Sequence, residues 1–286
     1  MLSDKWEDYK LLDAGDREKL ESYNGIILRR PDPMAIWPKN DPSLWDSYDA
    51  FYHRSKSGGG HWEYRKTLPE FWSIRYRDLS FKVSPTNFKH TGIFPEQAYN
   101  WDLVRQLIEG KKDIKVLNLF AYSGAATCAA SKAGAVEVVH VDASKGMIAW
   151  AKENAALNHL ENNVIRYIED DCIKFMKREI RRERHYDMII MDPPSYGRGP
   201  NNEMFKFENQ INELIDLSKQ LMSEKPLALI INSYTTGFST TVLENLMVNH
   251  FKGIKGSIHS EELLLPIENS KIYLPCGLST NFIYEH

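Results

Sequence analysis

Hydrophobic and polar positions change their rhythm along this chain, first near residue 92. Before that point the apolar runs are short and strand-like. Ile26-Ile27-Leu28-Arg29-Arg30 reads as a strand ended by Pro31 and Pro33, which have no backbone N–H to donate. Phe71–Tyr76 and Leu79–Val83 are strand-like runs joined by Arg77-Asp78, which predicts a tight hairpin. Ser57-Gly58-Gly59-Gly60 predicts an exposed, flexible loop. A small β-rich domain over 1–92 fits these signals.

Beyond it, strands and helices alternate. Trp101, Val104, Leu107 and Ile108 recur at helical spacing within Glu96–Glu109, and Gly110 stops that helix. Strand 115–120 precedes helix 124–132, and strand 136–141 precedes a helix capped by Ser144 and running to about His159. Strand 164–168, helix 171–184, strand 186–191, helix 207–223, strand 227–232 and helix 239–250 continue the series. Such alternation predicts a parallel sheet covered by helices on both faces. Ser257–Leu265 and Leu278–Tyr284 then follow with no helix between them, so they should pair as an antiparallel hairpin at the sheet edge. The expected fold is α/β, with a catalytic domain over 93–286.

Composition narrows the class without naming it. The 286 residues are 42% hydrophobic and 26% charged, enough to bury a sizeable core. No apolar run reaches the roughly 20 residues of a membrane helix. Nothing after Met1 resembles a signal peptide, and a cytoplasmic location is the default. Cys128, Cys172 and Cys276 are too scattered for a zinc motif or a disulfide framework. Histidines, His140 and His185 among them, show no ligand spacing, so no metal is expected. Net charge is −3, which taken whole disfavours a nucleic-acid partner. Its distribution changes that view: Phe51–Gly92 holds eight basic residues, three acids and nine Phe, Trp or Tyr. That segment is either an RNA-facing surface or an aromatic core with solvated charges. The basic helix Lys174–Arg184 reads more simply, as a buried Phe175, Met176, Ile180 stripe with a solvated back.

Open α/β sheets bind ligands beyond the carboxyl ends of their strands. Asn118-Leu119-Phe120-Ala121-Tyr122-Ser123-Gly124 leads from a strand into a helix and offers backbone N–H groups to an anion. It lacks the first two glycines of a dinucleotide fingerprint, so a carboxylate suits it better than a pyrophosphate. Asp142, ending the next strand before Ala143 and Ser144, suits a ribose diol or simply favours the following helix N-terminus. Asp171, before Cys172, either accepts from an adenine amino group or caps its helix. Asp192-Pro193-Pro194-Ser195-Tyr196 follows the fourth strand. Its prolines remove two donors, leaving carbonyls and a carboxylate to face a ligand amino group, with Tyr196 placed to stack on a planar base. The stretch Gly197–Met204 reads as a mobile lid.

On these motifs the chain from about Phe88 onward resembles a class I S-adenosylmethionine-dependent methyltransferase with a Rossmann-like sheet. In detail it resembles the bacterial large-subunit (23S) ribosomal RNA methyltransferases. Asn154 and Asn158 on the helix after Asp142 and the Lys89–Gln97 stretch, similar to a Thr-Gly-x-Phe-x-x-Gln segment, carry the likeness further. Arg30-Pro31-Asp32-Pro33 looks like part of the small β-domain of such enzymes. The resemblance implies S-adenosyl-L-methionine as cofactor, an RNA substrate and rRNA processing as context. It implies that Asp142 holds the cofactor ribose, Asp171 the adenine amino group, and the Ser123–Ala125 backbone the methionine end. Asn118, Phe120, Tyr122, Gly124, Ala143, Ser144 and Cys172 would complete the cofactor surroundings, with Phe94 and Gln97 helping to close them. Asp192, Pro193, Pro194 and Tyr196 would line the target site.

One departure selects among chemistries. Cytosine-C5 methyltransferases need a cysteine thiolate to activate the ring, and in this family it would end the fifth strand. The chain reads Ile231-Asn232-Ser233-Tyr234-Thr235 there. A nucleobase nitrogen, which already carries a lone pair, is the expected target, reached mainly by proximity and orientation. The competing expectations are a methyltransferase for a protein or small molecule, and a non-catalytic RNA-binding factor on the same fold.

Overall fold

The computed structural model describes residues 1–55, 59–198 and 204–286. It divides into two compact units, Met1–Tyr99 with Leu263–Cys276, and Asn100–Glu262 with Gly277–His286. The division read from sequence, 1–92 and 93–286, differs in placing 93–99 and 263–276 with the second part.

The first unit is built on strands β1 (Tyr9–Gly15), β2 (Glu18–Tyr23), β3 (Ile26–Pro31), β4 (Ala50–Arg54) and β5 (Gly60–Tyr64), hydrogen-bonded in that order. Four of these five strands carry no clear hydrophobic alternation, because this sheet buries charge. Glu21 and Arg30 are 0% and 5% exposed. Arg30 donates to both Glu21 oxygens, Nε to Oε2 at 2.7 Å and Nη2 to Oε1 at 2.8 Å. Tyr9 and Tyr23 donate to the same carboxylate. Asp13, beside a bulge in β1, is likewise buried and accepts from the Trp45 indole N–H at 2.8 Å and the backbone N–H of Asp41 at 3.0 Å. The expected hairpin is present as β6 (Trp72–Tyr76) and β7 (Leu79–Val83), with Arg77 at φ 52° in its turn. The expected loop at 57–60 falls largely on residues outside those described.

The second unit follows the predicted alternation closely. Helix α1 (Ala98–Ile108) begins in the first unit. It is followed by β8 (Lys115–Leu119), α2 (Ala125–Lys132), β9 (Glu137–Asp142), α3 (Lys145–Leu157), β10 (Ile165–Glu169), α4 (Cys172–Arg181) and β11 (Met188–Met191). A short hairpin, β12 (Tyr196–Arg198) and β13 (Met204–Lys206), precedes α5 (Phe207–Leu221), β14 (Ala228–Ser233), α6 (Thr240–His250), β15 (Gly256–Pro266) and β16 (Tyr273–Tyr284). The sheet order is β10-β9-β8-β11-β14-β16-β15. β16 runs antiparallel to β14, and the other pairs from β10 to β14 are parallel.

Burial on both faces explains why the central strands are continuous apolar runs. Leu117, Leu119, Ile189, Met191, Leu229 and Ile231 pack toward α4, α5 and α6. Their alternates Val116, Met188, Ile190, Ala228 and Ile230 pack with Val104 and Ile108 of α1. The order turns at β8 and β11, which are neighbours although β9 and β10 intervene in the chain. That reversal leaves a crevice at the carboxyl ends of these two strands. Two expectations need correction. The second strand of the edge hairpin, read as Leu278–Tyr284, begins at Tyr273, so Cys276 lies inside β16 and not in the loop before it. The arms of the Gly197–Met204 stretch are paired strands, with Tyr196 opposite Lys206 and Arg198 opposite Met204; 199–203 lie outside the described residues.

Candidate cofactor and target site

The turn leaving β8 alternates between left- and right-handed backbone, with Phe120 at φ 53°, Tyr122 at 49° and Gly124 at 82°. Its N–H groups are largely engaged within the protein: Phe120 donates to Cys172 Sγ, Ala121 to the Val141 carbonyl, Tyr122 to Asp142 and Gly124 to the Ala121 carbonyl. Gly124 is required there on two grounds. Its backbone is left-handed, and a Cβ would stand 2.8 Å from the Ala151 Cβ of α3. It also begins α2 with no side-chain cap, so the first-turn N–H groups face the crevice without an internal side-chain acceptor. Ser144 and Asp171, by contrast, cap α3 and α4 with their own side chains. An uncapped helix start suits a ligand carboxylate.

Several buried groups hold this turn. Asn118 Nδ2 donates to Thr127 Oγ1 at 3.0 Å, and Thr127 Oγ1 lies 2.9 Å from His140 Nδ1. Burial lowers His140 to about 3, so the ring is neutral and holds Thr127 through a single shared proton. Asn154 Nδ2 donates to the Ser123 carbonyl at 2.8 Å. The Phe120 N–H donates to Cys172 Sγ at 3.3 Å. Cys172 is buried, and burial pushes its thiol well above the usual range. Asn118 and Cys172 thus support the turn through hydrogen bonds. Thr127, His140 and Ala151 are part of the same support and were not legible from the motif, because they come from other elements.

Asp142 ends β9 beside this turn. Its Oδ2 accepts from the Tyr122 N–H at 2.9 Å, and its Oδ1 from the Ser144 N–H at 2.8 Å. Burial raises its pKa, while these two bonds pull the other way. Each oxygen keeps a further lone pair, which a vicinal diol can use. Asp171 accepts from the Lys174 N–H at 2.8 Å through Oδ1. The capping alternative is therefore realised, and Oδ2 remains for a ligand. Ala143 and Ser144 are exposed at the start of α3.

At the end of β11, Asp192 is half-buried, Pro193 buried, and Pro194 and Tyr196 exposed. Tyr196 is 51% exposed, free to offer a ring face, and its hydroxyl reaches Met204 Sδ at 3.2 Å. Phe94 and Gln97 belong to the first unit, around the 3-10 turn Pro95–Gln97. The basic helix α4 is tied down: Arg178 pairs with Asp170, Arg182 with Glu179 and Lys177 with Glu213. No helix among the described residues is long and apolar enough to cross a membrane.

Comparison with known proteins agrees with this geometry. A family model described as S-adenosylmethionine-dependent methyltransferase matches residues 49–245, more than half of the chain. The chain belongs to that family. A methyltransferase structure from Agrobacterium tumefaciens is 34% identical, with a TM-score of 0.94 over 100% of this chain and 93% of its own. The ribosomal RNA large subunit methyltransferase K/L of Syntrophotalea carbinolica is 29% identical over 63% of this chain and 25% of its own length. Its counterpart from Shewanella oneidensis is 37% identical over 43% of this chain and 16% of its own. The chain thus spans a quarter or less of these curated relatives. The family's methyl donor fits the residues present: an uncapped α2 start for a carboxylate, Asp142 for the ribose and Asp171 for the adenine amino group.

Proposed function

We propose that this chain methylates a nucleobase nitrogen in ribosomal RNA in the cytoplasm, using S-adenosylmethionine and no cysteine nucleophile. The observation that carries the reading is Asp192 with its two prolines at the β8–β11 crevice, combined with asparagine where a C5 enzyme needs cysteine. Bound in the crevice, S-adenosylmethionine supplies an electrophilic methyl group on a sulfonium. The protein's part is to hold and orient. The α2 start and Asp171 fix the two ends of the donor, and Asp142 its ribose. Pro193 and Pro194 deprive their segment of N–H donors, so the Asp192 carboxylate and nearby carbonyls form an acceptor-only wall. That wall suits a base N–H, and it leaves the nitrogen lone pair to be aimed. Asp192 is also the nearest acceptor for the proton that an amino nitrogen gives up. Tyr196 stacks on the base.

The first unit supports an RNA substrate. Tyr64, Phe71 and Phe88 are 53%, 52% and 62% exposed. A cleft of about 540 Å³ lies among Tyr64, Arg65, Lys66 and Pro69. Lys82 Nζ sits 4.7 Å from the Phe71 ring centre. Exposed rings flanked by cations fit a single strand, whose bases stack while its phosphates attract charge. Replacing Asp192 with Ala should cut methylation of ribosomal RNA by about 100-fold or more, in line with losing a group that orients the acceptor. S-adenosylmethionine affinity by calorimetry should change less than about threefold. Undiminished transfer by D192A would refute the target-site assignment.

A further inference from the structure

Asn232, at the carboxyl end of β14, is 2% exposed. Its Oδ1 accepts from Asn100 Nδ2 at 2.9 Å. Asn100 Oδ1 in turn accepts from Ser279 Oγ at 3.1 Å, and Ser279 is the β16 register partner of Asn232. In this arrangement the Asn232 oxygen is the engaged end of the carboxamide; the Ser279 hydroxyl also lies 3.4 Å from Asn281 Oδ1. The bond made by the Asn232 side chain is through its oxygen, which leaves its NH₂ as the donor end. Nδ2 is not among the fully buried atoms that lack a partner, so it reaches open space, where a ligand can accept from it. Thr235 Oγ1, three residues on, is buried and has no partner among the described residues.

The strand register places Asn232 beside Asp192. Met191 pairs with Ile231, and Asp192 continues the β11 ladder by donating its N–H to the Leu119 carbonyl at 3.4 Å. The two residues therefore end neighbouring parallel strands, with backbones about 4.8 Å apart. Paired positions project to the same face; Ile190 and Ile230, two residues earlier, both pack into the cluster with α1. A carboxylate that only accepts thus lies next to an amide end that only donates. A phosphate or a hydrocarbon satisfies at most one of them. A nucleobase edge with an N–H next to a carbonyl oxygen or unprotonated ring nitrogen satisfies both.

We propose that Asn232 is a specificity-determining residue: its Nδ2 donates to the acceptor atom adjacent to the N–H taken by Asp192. The proposal rests on the target-site reading above. Asn232→Asp tests it almost atom by atom, since the variant keeps an oxygen for Asn100 and replaces only the free NH₂. Asn232→Ala is the companion that adds no charge. Once the methylated base is located by mass spectrometry, a short RNA substrate is made with an analogue lacking the adjacent acceptor. Both variants should lose about 100-fold or more in kcat/KM for RNA, as expected where a buried site group loses its partner. Cofactor affinity should hold within about threefold. The wild-type enzyme should lose a similar factor on the analogue, and the variants should lose nothing further on it. Wild-type kcat/KM in both variants, a loss confined to cofactor affinity, or an additive penalty from the analogue would overturn the assignment. If neither variant folds, full wild-type activity on the analogue overturns it. A wild-type enzyme that methylates no RNA defeats the underlying reading instead, and this one with it.

Discussion

Asp142→Asn is the sharpest test of the cofactor end. The substitution keeps size and shape but replaces an ionised acceptor pair with one oxygen and one NH₂. In the wild type Asp142 accepts from Tyr122 N–H at 2.9 Å and Ser144 N–H at 2.8 Å. An amide can serve only one of them; the other meets an N–H. Hydrogen bonds to charged groups contribute about 1.5–3 kcal/mol, so the loss of fold stability should be of that order. The ribose loses its charged acceptor as well, which by the same range weakens cofactor binding by about 10- to 150-fold. Titration calorimetry with S-adenosylhomocysteine, beside urea unfolding of the same samples, separates the two effects. The pH dependence supplies an independent check. Burial raises the Asp142 pKa above the ordinary value of 3.8, and the ribose needs the ionised form. Affinity is therefore full at neutral pH and falls as pH drops through that raised value, starting at a higher pH than an ordinary aspartate would give. The Asn variant should show no such fall. An unchanged affinity at neutral pH, or an equal acid loss in the variant, would refute the assignment of Asp142 to the ribose.

Two further outcomes are expected. Gly124→Ala must place a Cβ 2.8 Å from Ala151 in a left-handed backbone; it should cost about 1–3 kcal/mol in denaturant unfolding and weaken cofactor binding further by shifting α2 against α3. Glu21→Gln leaves the buried Arg30 without its counter-charge and should destabilise the fold by about 3–5 kcal/mol. Burial alone would raise the Glu21 carboxyl, but Arg30 and Lys19 outweigh it and hold the pKa below its usual 4.5. Its stabilisation is thus complete above that value and is lost as pH falls through the lowered one. Acid unfolding that is identical in wild type and Glu21→Gln would contradict this.

The second unit was legible almost element by element, and for a definite reason. Its central strands are buried on both faces, so runs such as Met188-Ile189-Ile190-Met191 are unbroken, and the caps Ser144 and Asp171 mark their helices. The first unit was legible only at β3 and the β6–β7 hairpin. Where Glu21, Arg30 and Asp13 are buried as hydrogen-bonded groups, a pattern that equates charge with solvent misreads the strand. Cys276 was misplaced for a related reason: β16 begins at Tyr273, in Tyr-Leu-Pro-Cys-Gly, where proline and glycine look like a loop.

The local motifs were determined by sequence alone. A short stretch such as Asp192–Tyr196 restricts its own backbone through its prolines, and Gly124 permits the left-handed step that begins α2. Sequence could also say that asparagine, not cysteine, ends the fifth parallel strand. What that asparagine does was decided by tertiary structure. Only the fold brings Asn100 from 132 residues away and Ser279 onto the neighbouring strand to engage one end of its amide. Likewise Thr127, His140, Ala151 and Asn154 converge on one turn from three elements. Backbone conformation is a local property of the chain, whereas the partner of a buried polar atom depends on packing between distant segments.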